Sequence, residues 1–355
     1  MFKNYNYDSK SEKHSFDINN IDLSIANSIR RIILTDIPVV GFYGEDEPTI
    51  DIITNTGPLH NEFMKHRIGL IPINVSEEIT DNYKDDDYKF ELNVKNDSSS
   101  TINITTANFK GTYNDIELTS SQLKILFPPN PITKNNILIT RLRAGEELHL
   151  IARAIKRTAK TNASFSPVSL SNFYFIEDKK EADKKDNILD KQRSYVKNMY
   201  GDPILLKFEI ESVNKLSYLY LFSKAIIILI NKLKLLISNI EANEIMIEPI
   251  PNNPFSVNFH IENEDDSLGN VIQSLIHNKY IRQSNKHKGV NCSYVGYICP
   301  HPLKQLMIIR LTLDEQTDSE KFKQFLIDNS YEIIRELETI NTEWIKFNQF
   351  NAKKK

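Results

Sequence analysis

Residues 24–29 read SIANSI and residues 267–272 read SLGNVI. The two hexapeptides fit one pattern, S-[IL]-[AG]-N-x-I, and each opens an amphipathic stretch. In the first, Ile25, Ile29, Ile32 and Ile33 recur at i, i+4, i+7 and i+8, the spacing of one helix face. In the second, Leu268 and Ile272 take the places of Ile25 and Ile29. Asp22 is placed to cap the first helix, because its side chain can accept from the free N–H groups of the opening turn. Pro38, shortly after Asp36, stops it, since proline cannot continue the backbone ladder.

The same order of elements surrounds both hexapeptides. A strand is expected before each, at His14 to Ile18 and at Val257 to Ile261. After the first come β-branched and aromatic runs at Val39 to Tyr43, Thr49 to Thr54 and Leu205 to Ile210; after the second come Tyr294 to Ile298 and Met307 to Leu313. Each series closes on a long amphipathic helix. Leu219, Phe222, Ile226, Leu229, Ile230, Leu233, Ile237 and Ile240 stripe the first. Phe322, Phe325, Leu326, Ile333, Leu337, Ile340, Trp344 and Phe347 stripe the second, which is predicted to open at Thr317 with Glu320 completing a capping box.

This repetition implies two copies of one α+β unit. A single copy has a thin sheet and a long helix whose apolar face lacks a partner, and two copies packed face to face bury both. Ile25, Ile29, Phe222 and Leu229 from the first copy, with Leu268, Ile272, Phe325 and Leu337 from the second, are the expected interface. Gly269 stands where the first copy has Ala26, which suggests close helix packing there.

Between the copies the character changes. A short helix is expected within Leu59 to Ile73, ended by Gly69 and Pro72. From Asn74 to about Tyr200, short β-type segments (Lys89 to Val94, Ile137 to Leu142, His149 to Arg153) alternate with polar loops, and Glu177 to Lys191 is a dense charge run. The reading is an inserted β-rich domain with long loops, partly mobile at its charge run. Ile250 to Pro254, IPNNP, reads as a turn-forming linker.

Composition removes several classes of function. The chain has 10 glycines among 355 residues, below the roughly 7% that is usual. None are spaced as G-x-G-x-x-G or G-x-x-x-x-G-K-[ST], so a Rossmann enzyme or P-loop nucleotidase is disfavoured. Two cysteines, Cys292 and Cys299, cannot make a disulfide scaffold or a multi-cysteine zinc site, and they suit a reducing compartment. A net charge of -3 gives no global field to attract nucleic acid. Met1 to Lys13 lacks an apolar signal-peptide core, and Ala225 to Ile237 is interrupted by Asn231, Lys232 and Lys234, too short and charged to span a bilayer. An intracellular, soluble protein is expected.

With these residues in place, a family resemblance emerges. SIANSIRRIILTDIP followed by NTGPLHNEFMKHRIGLIPI resembles the alpha-type assembly subunits of multisubunit RNA polymerases, in the form of the eukaryotic third subunit and its archaeal counterpart. That family's pattern is S-x-A-N-[ST]-[LI]-R-R, then H-x-E-F-x-x-H-R-[LI]-G-L-[IV]-P, and its anchors appear as Asn27, Arg30, Arg31, Glu62, His66, Arg67, Gly69 and Pro72. Gly145-Glu146, Ala159 to Val168, Gly201-Asp202-Pro203 and Phe208 to Ser212 also match. The second half is similar to the eleventh subunit and its archaeal counterpart, through Asp265 to Asn270 and Gly296 to Leu303. A fused form resembles the polymerases of large nucleocytoplasmic DNA viruses, and the abundance of Asn, Ile and Lys would suit an AT-rich genome.

The resemblance implies an α+β fold in which two alpha-subunit-like dimerisation units of one chain form an intramolecular pseudo-dimer. It places a first dimerisation domain at 1–48 and 202–246, interrupted by the β-rich insert at 49–201, then a linker at 247–256 and a second dimerisation domain at 257–355. It implies a non-catalytic assembly platform without cofactor, docking two large catalytic subunits and a small tenth-subunit-like protein through Arg30, Arg31, Glu62, His66 and Arg67. No membrane and no direct sequence-specific nucleic acid contact are expected. A viral chain would work in host cytoplasm or nucleus and could be packaged in the virion. One departure is that many third-subunit relatives carry a zinc-binding cysteine cluster in the insert, whereas here no cysteine precedes Cys292. Order in the insert must then come from packing or from partners.

Two other classes of function compete with this one. A metal-dependent hydrolase could use His60, Glu62 and His66, or Asp85, Asp86 and Asp87. His60 and His66 are six apart, however, and do not share a helix face as in H-E-x-x-H, and the acidic triplet reads as a solvated loop. Cys292 and Cys299 read as structural thiols. A nucleic-acid-binding module is disfavoured by the near-neutral charge.

Overall fold

Each copy of the repeat folds as two strands, a short helix, two more strands and a long helix. In the first copy these are β1 (Phe2–Asp8), β2 (Lys13–Asn19), α1 (Leu23–Thr35), β3 (Val168–Phe175), β4 (Leu205–Ser212) and α2 (Tyr218–Glu241). In the second they are β5 (Met246–Ile250), β6 (Asn253–Glu262), α3 (Asp266–Ile276), β7 (Cys292–Ile298), β8 (Leu306–Leu313) and α4 (Ser319–Ala352). The strand orders correspond, β1-β2-β4-β3 in one sheet and β5-β6-β8-β7 in the other. The duplication expected from two hexapeptides therefore extends to topology.

The computed structural model describes residues 1–45, 49–251, 253–283, 285, 290–301, 303–315 and 318–352, with residues 351 and 352 described as backbone only. The chain divides into two compact units. Met1–Ile33, Leu170–Ile210 and Leu221–Lys355 make the first, and Leu34–Ser169 with Glu211–Tyr220 the second. Both copies of the repeat thus lie mainly in one unit.

Most of the apolar periodicity is buried, but Leu219 at the start of the α2 stripe is exposed and Phe347 near the end of the α4 stripe is half-buried. Helix α1 buries Ile25, Ile29, Ile32 and Ile33, and α3 buries Leu268, Val271, Ile272 and Ile276. Phe222 and Leu229 of α2 and Phe325 and Leu337 of α4 are buried as well. Trp344, near the end of α4, enters the aromatic core of the first copy, its ring centroid 4.6 Å from Phe16 and 5.0 Å from Phe2. Phe16 and Phe208 lie directly opposite in the β2–β4 register and stack at 5.7 Å. Burying such rings contributes both apolar area and favourable edge and offset contacts.

Several sequence expectations are corrected. The linker at 247–256 is largely a hairpin: Ile247 pairs with Phe259, Glu248 with Asn258 and Pro249 with Val257. Proline is tolerated there because β5 is an edge strand, where one row of N–H groups has no ladder partner. The join between the copies is instead the short turn after α2, where Asn243 takes a left-handed conformation (φ 59°) and Glu244 N–H donates to Asn239 O at 2.9 Å. The insert at 49–201 is also displaced. β3 belongs to the first copy's sheet, and 34–45 fall in the second unit, where Val39–Gly41 pairs with Ile155–Arg157. The charge run forms two short helices, Lys179–Ala182 and Ile188–Gln192, capped by Asp178 and Asn187.

Gly269 does not make room for a helix. A Cβ there would lie 2.5 Å from the Tyr297 ring and 2.6 Å from Met307 Sδ, so the close approach is between α3 and its own sheet. Thr317, expected as the cap of the last helix, lies outside the described residues, and Asp318 Oδ1 accepts from Lys321 N–H at 3.0 Å.

The second unit holds a five-stranded sheet ordered Ile50–Asn55, Glu147–Arg153, Tyr88–Lys95, Lys110–Tyr113, Ile116–Glu117. Leu138–Leu142 pairs with Ile102–Thr105. Its core is aromatic, with Phe90 5.5 Å from Phe42 and 5.1 Å from Phe127, and Phe109 5.3 Å from Phe127. The start of α2 is bonded into this unit, because Glu77 Oε1 accepts from Ser217 N–H at 3.0 Å and Tyr220 O–H donates to Asp81 at 2.8 Å.

Candidate functional site

The two short helices share one start. Asp22 Oδ1 accepts from Ser24 N–H at 2.8 Å, and Asp265 Oδ1 accepts from Ser267 N–H at 2.9 Å. These aspartates satisfy otherwise orphaned N–H groups of the first turn. Each start is then bonded to a later turn of the other helix. Asp22 accepts from Ser274 Oγ at 3.1 Å and Asn278 Nδ2 at 2.9 Å. In the other direction Ser28 Oγ donates to Ser267 O at 2.5 Å, and Arg31 Nε donates to Ser267 Oγ at 2.9 Å. Arg31 also stands 3.8 Å from Asp266. The helices are therefore antiparallel across the seam between the copies.

The long helices cross the same seam. Ser223 Oγ, early in α2, donates to Asn341 Oδ1 late in α4 at 2.9 Å, and Lys323 Nζ, early in α4, donates to Asn243 Oδ1 just beyond α2 at 2.6 Å. Lys232 on α2 forms an ion pair at 2.9 Å with Glu264, in the turn before α3. Arg282, which follows α3, forks onto both carboxylate oxygens of Asp202 and lies 5.2 Å over the Tyr200 ring. A planar guanidinium suits both contacts at once.

The expected docking residues divide between the units. Arg30 points back along its own helix, Nε and Nη2 donating to Asn27 Oδ1 at 3.0 and 2.9 Å, and burial, then the charge of Arg31, lowers its pKa. Arg31 is engaged across the seam as described. In the second unit, Arg67 Nε and Nη2 donate to the carbonyls of Ile139 and Leu138 at 3.0 and 2.9 Å, fixing helix Asn61–Gly69 to that strand. His66 lies 3.9 Å from Glu45. Glu62 is exposed, as is its neighbour Phe63.

The groups considered for chemistry have other occupations. Asp85 pairs with Arg157 at 2.8 Å and Asp86 lies 3.8 Å from Arg153. Among the described residues, no group of three or more His, Cys, Asp or Glu side chains converges as metal ligands. Burial pushes the thiols of Cys292 and Cys299 each up to about 11, so both are protonated near neutrality. No described helix is long and apolar enough to cross a membrane.

Sequence reading alone does not pick out Lys232–Glu264 or Asp202–Arg282 as parts of a seam. Lys232 does leave a signal, as a charge interrupting the most apolar stretch of the chain.

Comparison with known proteins adds two matches. The family described as the RNA polymerase Rpb3/Rpb11 dimerisation domain matches residues 15–233, and a second form of it matches residues 256–343. The two matches fall on the two copies of the repeat. The chain is similar to the DNA-directed RNA polymerases I and III subunit RPAC1 of Saccharomyces cerevisiae, 31% identical over 183 residues, covering 46% of this chain and 53% of the relative. It is similar to the DNA-directed RNA polymerases II, IV and V subunit 3 of Arabidopsis thaliana, 26% identical over 183 residues, covering 48% and 55%. The DNA-directed RNA polymerase II subunit RPB3 of Schizosaccharomyces pombe is 31% identical over 175 residues, covering 45% and 55%. The chain spans about half the length of these curated relatives.

Proposed function

The chain belongs to the RNA polymerase Rpb3/Rpb11 dimerisation-domain family, and on that premise we propose that it is a non-catalytic assembly subunit of a DNA-directed RNA polymerase. The observation that carries this reading is the closed seam between two family domains in a single chain. Trp344 of the second copy sits in the aromatic core of the first, and Arg31 of the first bonds the α3 start of the second. A dimer that separate chains would have to find by diffusion is already made.

The platform contributes binding free energy and geometry. A join of only a few residues after α2 holds the copies at an effective concentration of roughly millimolar or more, so the seam persists at any dilution in a cell. Its outer surface docks two large catalytic subunits and a small tenth-subunit-like protein. Glu62 and His66 contribute to docking directly, whereas Arg30, Arg31 and Arg67 shape the surface through the internal bonds they hold. The fusion of third-subunit-like and eleventh-subunit-like halves, together with the Asn, Ile and Lys content, supports a source among large nucleocytoplasmic DNA viruses and action inside the host cell.

The test is affinity purification of the tagged chain from its native source. Two large polymerase subunits should be recovered in equimolar amount with it. Recovery of the chain alone, at a salt concentration where other polymerases stay intact, would overturn the reading.

A further inference from the structure

We infer that ionisable side chains on the long helices determine which copy pairs with which: Lys232 with Glu264 selects the first copy against the second, and Glu336 opposes the pairing of two second copies from different chains. This rests on the reading of the seam as a pseudo-dimer interface.

The repeat itself poses the problem. Two copies with corresponding strand order and helix placement can pair within one chain or like with like between chains. Apolar burial is non-directional and does little to distinguish these pairings. Discrimination requires groups that are partnered in one arrangement and stranded or opposed in the other.

The seam contains such groups at related positions. Aligning Ser24 with Ser267 sets Ile21 opposite Glu264 in the turns that precede α1 and α3. Because α2 and α4 are antiparallel equivalents, each presents one ionisable side chain to the other copy's turn. Lys232 of α2 meets Glu264 at 2.9 Å, with side chains only 14% and 9% exposed. Glu336 of α4 lines a cleft of about 550 Å³ together with Asn20, Ile21 and Asp22. Asp22 is committed as a helix cap and accepts from Ser274 and Asn278.

Within one chain the combination is therefore Lys against Glu and Glu against Ile. In a like-with-like assembly it becomes Lys against Ile and Glu against Glu. The first loses a nearly buried ion pair, and the second sets two carboxylates together where Glu264 is almost out of solvent. Stranding or opposing buried charge is far more costly than an exposed ion pair is favourable. Glu336 keeps solvent access at the mouth of that cleft, and its pKa is raised by partial desolvation and then by the neighbouring Asp22 carboxylate.

The experiment measures the mass of the full-length chain by light scattering after refolding from urea at tens of micromolar. Wild type should be monomeric. Glu264→Lys sets Lys against Lys within the chain and Lys against Glu336 between chains, so the mass should shift to two chains or more. Lys232→Glu with Glu264→Lys restores an opposite-charge pair within the chain, and the monomer mass and wild-type urea midpoint should return. A folded Glu264→Lys chain that stays monomeric overturns the inference, as does a dimeric wild type. If Glu264→Lys alone does not fold, the double variant decides: recovery of mass and midpoint supports the pairing rule, and failure to recover overturns it. No readout here involves other polymerase subunits, so failure leaves the assembly reading to its own test.

Discussion

Trp344 and Phe222 lie with ring centroids 4.5 Å apart, the tryptophan from the second copy of the repeat and the phenylalanine from the first. Both are fully buried, in a cluster that also holds Phe2, Phe16, Phe208 and Phe347. The chain's single tryptophan therefore sits on the seam, where its fluorescence reports on pairing of the copies. Truncating it removes a large buried side chain and leaves a cavity. Trp344→Ala should cost about 3–5 kcal/mol in urea unfolding. A loss below about 1 kcal/mol would show that the second copy's last helix does not depend on this insertion.

Arg67 anchors its helix through two bonds to neighbouring carbonyls of one strand, Leu138 and Ile139. Arg67→Ala should destabilise the second unit by about 1–3 kcal/mol, the range for hydrogen bonds from a charged donor. Arg67→Lys should recover less than half of that, because an ammonium cannot reproduce the two-pronged geometry. Hydrogen exchange of the 138–142 strand is the measurement, and equal protection in Arg67→Lys and wild type would contradict the assignment.

A Cβ on Gly269 would run into the Tyr297 ring and Met307 Sδ. Although alanine favours helix, Gly269→Ala should lower stability by about 1–3 kcal/mol, the usual cost of overpacking. Tyr297→Leu in the same chain should relieve part of it. A thermal melt unchanged or raised by Gly269→Ala alone would show that the sheet yields freely there.

The thiols make a pH prediction with a definite sign. Burial raises both, each to about 11, so the thiolate is roughly one part in a thousand at pH 8 and becomes substantial only as the pH approaches 11. Alkylation of Cys299, the more accessible of the two, should be at least tenfold slower at pH 8 than that of an unstructured peptide thiol and should still be rising at pH 10. Labelling at the peptide rate, followed by mass spectrometry, would contradict this.

Much of the fold is legible in the sequence because it is written in periodicity. The stripe from Leu219 to Ile240 is α2 at Tyr218–Glu241, and the apolar set of Ile25, Ile29, Ile32 and Ile33 is the buried face of α1. What escapes sequence reading lies at edges. β1 reads FKNYNYD with only Phe2 buried, so it offers no alternation of apolar residues to detect. β5 is hidden by turn-forming residues that make a hairpin on an open edge. β3 is separated from its sheet by the charge run that follows it, and only pairing with β4 shows where it belongs. Gly269 misleads because sequence shows that space is short but not which neighbour takes it. For the candidate site, residue types are visible in the motifs, but the division of labour is not. Arg30 and Arg31 are adjacent, yet one bonds within its own helix and the other crosses the seam.

The proposal that this chain assembles a polymerase is tested most directly by co-expressing the two large catalytic polymerase subunits of its native source with and without it. With the chain present, the two large subunits should co-purify through a tag on either one, in a single complex of equal stoichiometry. With the chain omitted, recovery of the untagged large subunit should fall at least tenfold. Equal co-purification of the large subunits in its absence would contradict the account.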